Sequence, residues 1–350
     1  MKPVISIVVP VYKTEKFITQ CLNSLINQTL KEIEIIVVND GSPDGAGEIC
    51  EKFSKKDERV KVYHQKNLGG CVAMWNGAHY ARASYIMYLD GDDWIDLNTC
   101  EIAYDAITQS GSDVVFWTYI KEYSNGTSRK VTPIFKSFRL FRNEDIDFLK
   151  RRFFGLIDEE LRNTSETDAI SSCWGKLYKR ELILNDQWCM IDVNGNHNFD
   201  ALINIRLFKN VKKAVFLYEF FNHYRQYNSN SATKTHELNL LNKYLVFFEN
   251  IQLFINENNL DNSYQVALNN RIALSVINNA LSVTNPQLKR TTPERINQLK
   301  KVLNHDTYVA ALNKLNVKFL PLHWRLYFML GRRKKVVLLY ILTLLIRKLR

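Results

Sequence analysis

Tyr85-Ile86-Met87-Tyr88-Leu89-Asp90-Gly91-Asp92-Asp93-Trp94 is the stretch on which the reading of this chain turns. A short apolar run ending in a polar, glycine-containing turn reads as a buried strand, and three carboxylates follow directly at its carboxyl end. Like charges packed that closely repel one another, and a divalent cation offsets the repulsion. An all-oxygen set suits Mg²⁺ or Mn²⁺, which bind through one or two carboxylates together with waters and phosphate oxygens. The competing reading is local, with one or two of the aspartates capping the helix that follows.

Val4 to Val9, Ile33 to Val38, Val60 to His64 and Val114 to Trp117 are further β-branched runs on either side of it. Between them Phe17, Cys21, Leu22 and Leu25 follow helical spacing, as do Ala46, Ile49, Cys50 and Phe53, and a further helix is expected from about Leu68 to Ala83. That alternation predicts a doubly wound α/β fold with a mostly parallel sheet covered on both faces. Ligands of such folds bind beyond the carboxyl ends of the strands. The second strand ends in Asn39-Asp40-Gly41-Ser42, where Asp40 is either a ligand contact or a turn aspartate before glycine. The first runs into Pro10-Val11-Tyr12-Lys13, with neither G-x-G-x-x-G nor G-x-x-x-x-G-K, which argues against a dinucleotide dehydrogenase and a P-loop NTPase, and without the Gly-rich, Arg/Lys-containing loop expected of a sugar nucleotidyltransferase. Gly69-Gly70 opens a helix whose first amides suit an anion.

From about residue 130 to 230 the pattern is mixed, with helices expected near Glu144 to Phe154 and Asp200 to Phe208 and a strand near Ala214 to Tyr218. Leu238, Leu241, Leu245, Phe248 and Ile251 then repeat at threes and fours, and Thr292-Pro293 reads as an N-cap followed by a first-turn proline. The expected organisation is a nucleotide-binding domain over 1–230, a helical region over 231–306 and a basic tail over 307–350.

The segments Val4 to Tyr12, Ile36 to Ser42, Asn67-x-Gly69 and Tyr85 to Asp93, in that order and spacing, resemble the inverting glycosyltransferases of family 2, which have the GT-A fold. Cys173-Trp174-Gly175-Lys176-Leu177-Tyr178 and Tyr224-Arg225, with Ser229 and Ser231, are similar to later landmarks of its bacterial polysaccharide members. The resemblance implies that Asp40, beside the Pro10, Val11 and Tyr12 backbone, faces the nucleotide base, with Asn67 and Gly69 in the same donor-binding region. It implies that Asp92 ligates the metal, that Asp90 meets ribose or a metal-bound water or joins Asp92 as a ligand, and that Asp93 faces the sugar or orients the site. Asp200 matches the base that takes the acceptor proton, with Phe199 in place of the family's preceding carboxylate and His197 as a second candidate.

By the same resemblance Trp174 is an acceptor platform, its alternative being a core tryptophan, and Lys176 lies on the acceptor side. Lys176, Arg225 and His223 add positive charge for the diphosphate, His223 also as a metal ligand. Arg225 belongs to a mobile loop that closes over the donor, or is a surface charge. Met74 stands where the family has an arginine. The implied activity is metal-dependent, inverting transfer of a sugar, UDP-linked, to a hydroxyl of a growing lipid-linked cell-surface glycan such as a capsule. The alternatives are a non-catalytic membrane-docking or partner-binding protein that keeps the fold, and a sugar nucleotidyltransferase.

The 350 residues carry 47 Lys plus Arg against 36 Asp plus Glu, a net +11. No acidic residue follows Asp306, and ten of the cations do, so the body before them is nearly neutral. Val336 to Ile346 is apolar except for Thr343 and is bracketed by Arg332-Arg333-Lys334-Lys335 and Arg347-Lys348. It is too short to span a bilayer and suits an anionic membrane surface, or alternatively a helix docked on the body or on a second subunit. Six scattered cysteines without metal spacing suit a reducing compartment, and Val4 to Val9 is too short for a signal peptide. The expected location is therefore cytoplasmic, peripheral at the inner face of the cell membrane, with no nucleic-acid partner.

Overall fold

The computed structural model describes residues 2–188, 198–228 and 239–349. Alternating apolar runs and amphipathic stretches form β1 (Ile5–Val11), α1 (Ile18–Ile26), β2 (Ile33–Asp40), α2 (Ala46–Lys56), β3 (Val60–Gln65), α3 (Gly70–Tyr80) and β4 (Tyr85–Tyr88). All eight residues of β2 are buried, as expected of a strand covered on both faces. Then follow β5 (Trp94–Ile95), α4 (Thr99–Ser110), β6 (Val114–Phe116), β7 (Tyr119–Glu122), β8 (Ser128–Lys130), β9 (Arg139–Arg142), α5 (Glu144–Arg152), a 3₁₀ segment (Asp158–Glu166), β10 (Lys176–Lys179), α6 (Arg180–Leu184), α7 (Phe199–Phe208), β11 (Lys213–Phe216) and β12 (Asn222–Arg225).

The large sheet has the order β3-β2-β1-β4-β10-β6-β11-β9, and a small one has the order β5-β12-β7-β8. β1 pairs in parallel with β2 (Val11 opposite Asn39) and with β4 (Val8 opposite Tyr88), so the turns after all three open on one edge. The sheet is mostly parallel, and β10 is an exception, antiparallel to both β4 and β6. The Trp174-Gly175-Lys176 segment thus feeds a central strand. α3 lies close over β1 and β2 because of Gly77: a Cβ there would sit 2.3 Å from Cγ1 of Val8.

The remaining helices are α8 (Leu240–Glu257), α9 (Asn262–Leu274), α10 (Val276–Val283), α11 (Thr292–Asn304), α12 (Asp306–Lys314), α13 (Leu322–Arg332) and α14 (Val336–Leu349). α11 starts one residue earlier than Thr292-Pro293 suggests. Thr291 is the cap, its N–H donating to Oε2 of Glu294 at 2.7 Å in a capping box, and Pro293 lies in the first turn.

The chain forms two compact units. One comprises residues 1–149, 171–193 and 203–233 and contains both sheets; the other, largely helical, comprises 150–170, 194–202 and 234–350. Residues 307–350 belong to that second unit rather than standing apart as a tail. In it, α14 buries Leu339, Tyr340 and Thr343, with the Thr343 hydroxyl 3.1 Å from that of Tyr327 on α13. No described helix is long and apolar enough to cross a membrane.

Candidate active site

Asp90, Asp92 and Asp93 offer carboxylate oxygens that all lie within 4.8 Å of one another, just beyond β4. Asp93 is 2% exposed, and the other two are half-buried. Burial, reinforced by the charges of Asp92 and Asp90, pushes the Asp93 carboxyl well above the usual carboxylate range, against the pull of Arg225. Three converging hard oxygen donors with surplus negative charge fit a divalent cation of the Mg²⁺ or Mn²⁺ type. Gly91 lets the turn close, since a Cβ there would meet the Pro10 carbonyl oxygen at 3.1 Å.

The turn is held from the far side by β12 and the residues after it. The Arg225 backbone N–H donates to Oδ1 of Asp93 at 2.8 Å, and its Nε donates to the Asp92 carbonyl at 2.6 Å. The Arg225 Nη2 donates to Oε1 of Gln20 at 2.8 Å, and the guanidinium lies over the rings of Phe17, Trp94 and Tyr227. Asn228 Nδ2 donates to Oδ2 of Asp92 at 2.7 Å. Arg225 is therefore a 4%-exposed clamp at the end of a strand, in place of the expected mobile-loop or surface cation. Gln20 and Asn228 are contacts that sequence spacing does not reveal, because they arrive from distant parts of the chain.

His223 takes another position from the one expected of a metal ligand. Its Nδ1 lies 2.7 Å from Glu122 and its Nε2 3.1 Å from Asp96, and its ring stacks on Trp94 at 4.9 Å. Among the described residues the carboxylate group that could share an ion does not include it. Burial pushes the Glu122 carboxyl up, yet hydrogen bonds from Ser128 and His223 bring it below its ordinary value.

Asp40 is buried and accepts from the amides of Leu68 (2.8 Å) and Gly69 (2.9 Å) and from Nε2 of Gln65 (2.8 Å). It thereby anchors the start of α3 and brings the Asn67 to Gly69 turn beside Gly41, where a Cβ would stand 2.8 Å from the Asn67 nitrogen. Asn67 and Tyr12 are exposed at the same sheet edge, Val11 is buried and Pro10 is half-buried. Met74 is buried on α3, so the position that carries an arginine in the family belongs to the core in this chain.

Trp174 joins an aromatic cluster, stacked on Tyr224 at 5.7 Å and edge-on to Tyr119 at 4.8 Å. It is half-buried and so can still present indole surface. Lys176 is only 2% exposed and donates to the Ser172 carbonyl, which removes its ammonium from the open acceptor role expected of it. Asp200 lies, half-buried, in the first turn of α7. His197, Ser229 and Ser231 lie outside the described residues.

The glycosyl transferase family 2 model matches residues 6–183, more than half of the chain and including the Asp90 to Asp93 turn. The chain belongs to glycosyltransferase family 2. It is 34% identical over 234 residues to the uncharacterized glycosyltransferase EpsJ of Bacillus subtilis, covering 67% of this chain and 64% of that one. It is 31% identical over 276 residues to the putative glycosyltransferase EpsH of the same organism, covering 78% and 75%. The chain thus spans less than two thirds of EpsJ's length. The crystal structure of S. aureus TarS 1–349 in complex with UDP-GlcNAc superposes with a TM-score of 0.66 over 99% of this chain and 92% of that one. At 20% identity that likeness shows the GT-A fold.

Proposed function

We propose that this family 2 protein is a metal-dependent inverting hexosyltransferase that moves a sugar from a UDP-linked donor to a hydroxyl of a growing cell-surface polysaccharide. The observation that carries the reading is the Asp90, Asp92 and Asp93 group, converging at the carboxyl edge of a parallel sheet. Asp92 and Asp90 would hold Mn²⁺ or Mg²⁺, and when bound the ion offsets charge on the departing diphosphate. Asp93, held by the Arg225 amide, keeps the turn in register and lies ready for a sugar hydroxyl. The edge formed by Pro10 to Tyr12, Asp40 and Asn67 to Gly69 suits the nucleoside, and UDP-GlcNAc in the TarS complex supports a UDP-sugar for this chain too. Asp200 is the base for the acceptor proton.

The acceptor is lipid-linked and the enzyme works at the inner face of the cell membrane, because the exposed faces of α13 and α14 combine apolar side chains with cations. The direct test is hydrolysis of UDP-sugars with Mn²⁺, measured for the wild type and for Asp92→Asn. Metal-dependent turnover should fall by at least about 100-fold, beyond the roughly 10–100-fold typical of losing a group that only supports a metal ligand. Unchanged turnover in the variant sinks the proposal.

A further inference from the structure

We propose that the helical unit carries a saccharide-binding cavity and that this cavity receives the acceptor glycan. The inference rests on the transferase reading above for the identity of its occupant, and on the cavity's own chemistry for the rest. The cavity encloses about 480 Å³, within the roughly 300–1,000 Å³ of small-molecule sites, and all its lining residues belong to the helical unit. One wall is the turn Arg162 to Asp168, another is Asn198, and the remainder comes from α8, α9, α10 and the start of α13.

Its polar groups are hydroxyls and amides, among them Thr164, Ser165, Tyr244 and Asn278, and its flat apolar element is the half-buried indole of Trp324. Sugars are recognised by that combination, an aromatic face for the ring's C–H side and fixed polar groups for its hydroxyls. The charges in the wall are paired. Arg271, 4% exposed, donates through Nη1 to the Phe153 carbonyl at 2.8 Å and through Nη2 to Asp168, and Arg162 pairs with Glu159 at 2.5 Å. A wall whose buried cation, Arg271, is already paired favours a neutral polyhydroxylated ligand over a phosphate.

The polar groups are also held in place before any ligand arrives. Asn278 Nδ2 donates to the Tyr244 hydroxyl at 2.9 Å, and Asn198 Nδ2 donates to Oδ1 of Asp168 at 2.9 Å. Asn198 stands two residues before Asp200, the proposed base, on the segment that opens α7. The chain therefore passes from the wall of the cavity to that base within a single turn. On this assignment the helical unit, more than Trp174 and Lys176, selects the acceptor.

The test is saturation-transfer NMR on the full chain with a panel of neutral di- and trisaccharides of glucose, galactose and N-acetylhexosamines, with inorganic pyrophosphate as the anionic probe. Wild-type protein should bind at least one saccharide, and Trp324→Ala and Asn278→Ala should weaken it roughly threefold to tenfold, as loss of an aromatic face or a fixed polar group dictates. Trp324→Phe should restore most of the binding, and UDP affinity should be the same in all three variants, which also reports that they fold. Silence across the saccharide panel, binding insensitive to both alanine variants, or displacement of the sugar by pyrophosphate overturns the inference. Any of these in a protein that still hydrolyses UDP-sugars with Mn²⁺ leaves the transferase reading standing, so the two fail separately.

Discussion

Asn228 makes a bond that no motif predicts: it donates to Oδ2 of Asp92 from 136 residues further along the chain. A group that orients a metal-binding carboxylate without touching the ion tunes affinity more than stability. Asn228→Ala should therefore raise the Mn²⁺ concentration for half-maximal UDP-sugar hydrolysis by about tenfold or more. It should lower unfolding stability by only about 1 kcal/mol, read by urea denaturation. An equal loss of activity at saturating and limiting Mn²⁺ would count against a role through Asp92. The three aspartates are legible in the sequence because they occupy three of four consecutive positions of one turn. Asn228, Gln20 and the Arg225 clamp are not, because strand pairing and side-chain reach bring them in from distant segments. Asp40 shows the same limit from the other side: its position is plain in Asn39-Asp40-Gly41, but its three donors in β3 and the turn before α3 are not.

Among the elements, β1 to β4 follow from their short apolar, β-branched runs and α1 and α2 from apolar residues at helical spacing. β10 does not follow, because its place between β4 and β6 depends on a return of the chain that local pattern cannot encode. Where the first two strands meet, Glu34 on β2 accepts from the Ser6 hydroxyl of β1 at 2.7 Å and from the backbone and side chain of Arg82 at 2.7 and 2.9 Å. Burial pushes its carboxyl up, but the Ser6 and Arg82 bonds together hold it below its ordinary value. A carboxyl depressed by folding stabilises the native state above its unfolded pKa of about 4.3, and that contribution disappears as pH falls through the lower folded value. Glu34→Gln should accordingly be less stable than wild type near neutral pH, with the difference shrinking in acid below about pH 4. Urea midpoints measured across that range check it; a gap that widens in acid would contradict it.

For the whole molecule, the net +11 matters through where it is exposed. Arg325, Arg332 and Arg347 are tied to backbone carbonyls of their own unit, whereas Arg333, Lys334, Lys335 and Lys348 are exposed. Beside them stand Leu322 (80% exposed), Leu326 and Met329 on one face of α13, and Val337, Leu338, Ile341 and Leu345 on one face of α14. Thr343, the polar interruption in the tail sequence, points inward to Tyr327, so the exposed strip of α14 is apolar between its bracketing cations. The fourteen residues of α14 reach about 21 Å, short of a hydrocarbon core of about 30 Å, so the helix can lie in a bilayer surface but not cross it. Four exposed cations near an anionic leaflet contribute about 1 kcal/mol each, and the apolar strip adds a part that salt does not screen. Wild-type protein should thus sediment with vesicles containing phosphatidylglycerol, and 0.5 M salt, added at roughly the level where the Debye length falls to a few ångströms, should weaken this without abolishing it. Leu338→Glu combined with Ile341→Glu, both on the exposed face, should release the protein from the vesicles while UDP-sugar hydrolysis in solution is retained. Vesicle binding that survives the double substitution would refute membrane docking through this face, and a change from dimer to monomer in the same variant would assign the strip to a second copy of the chain.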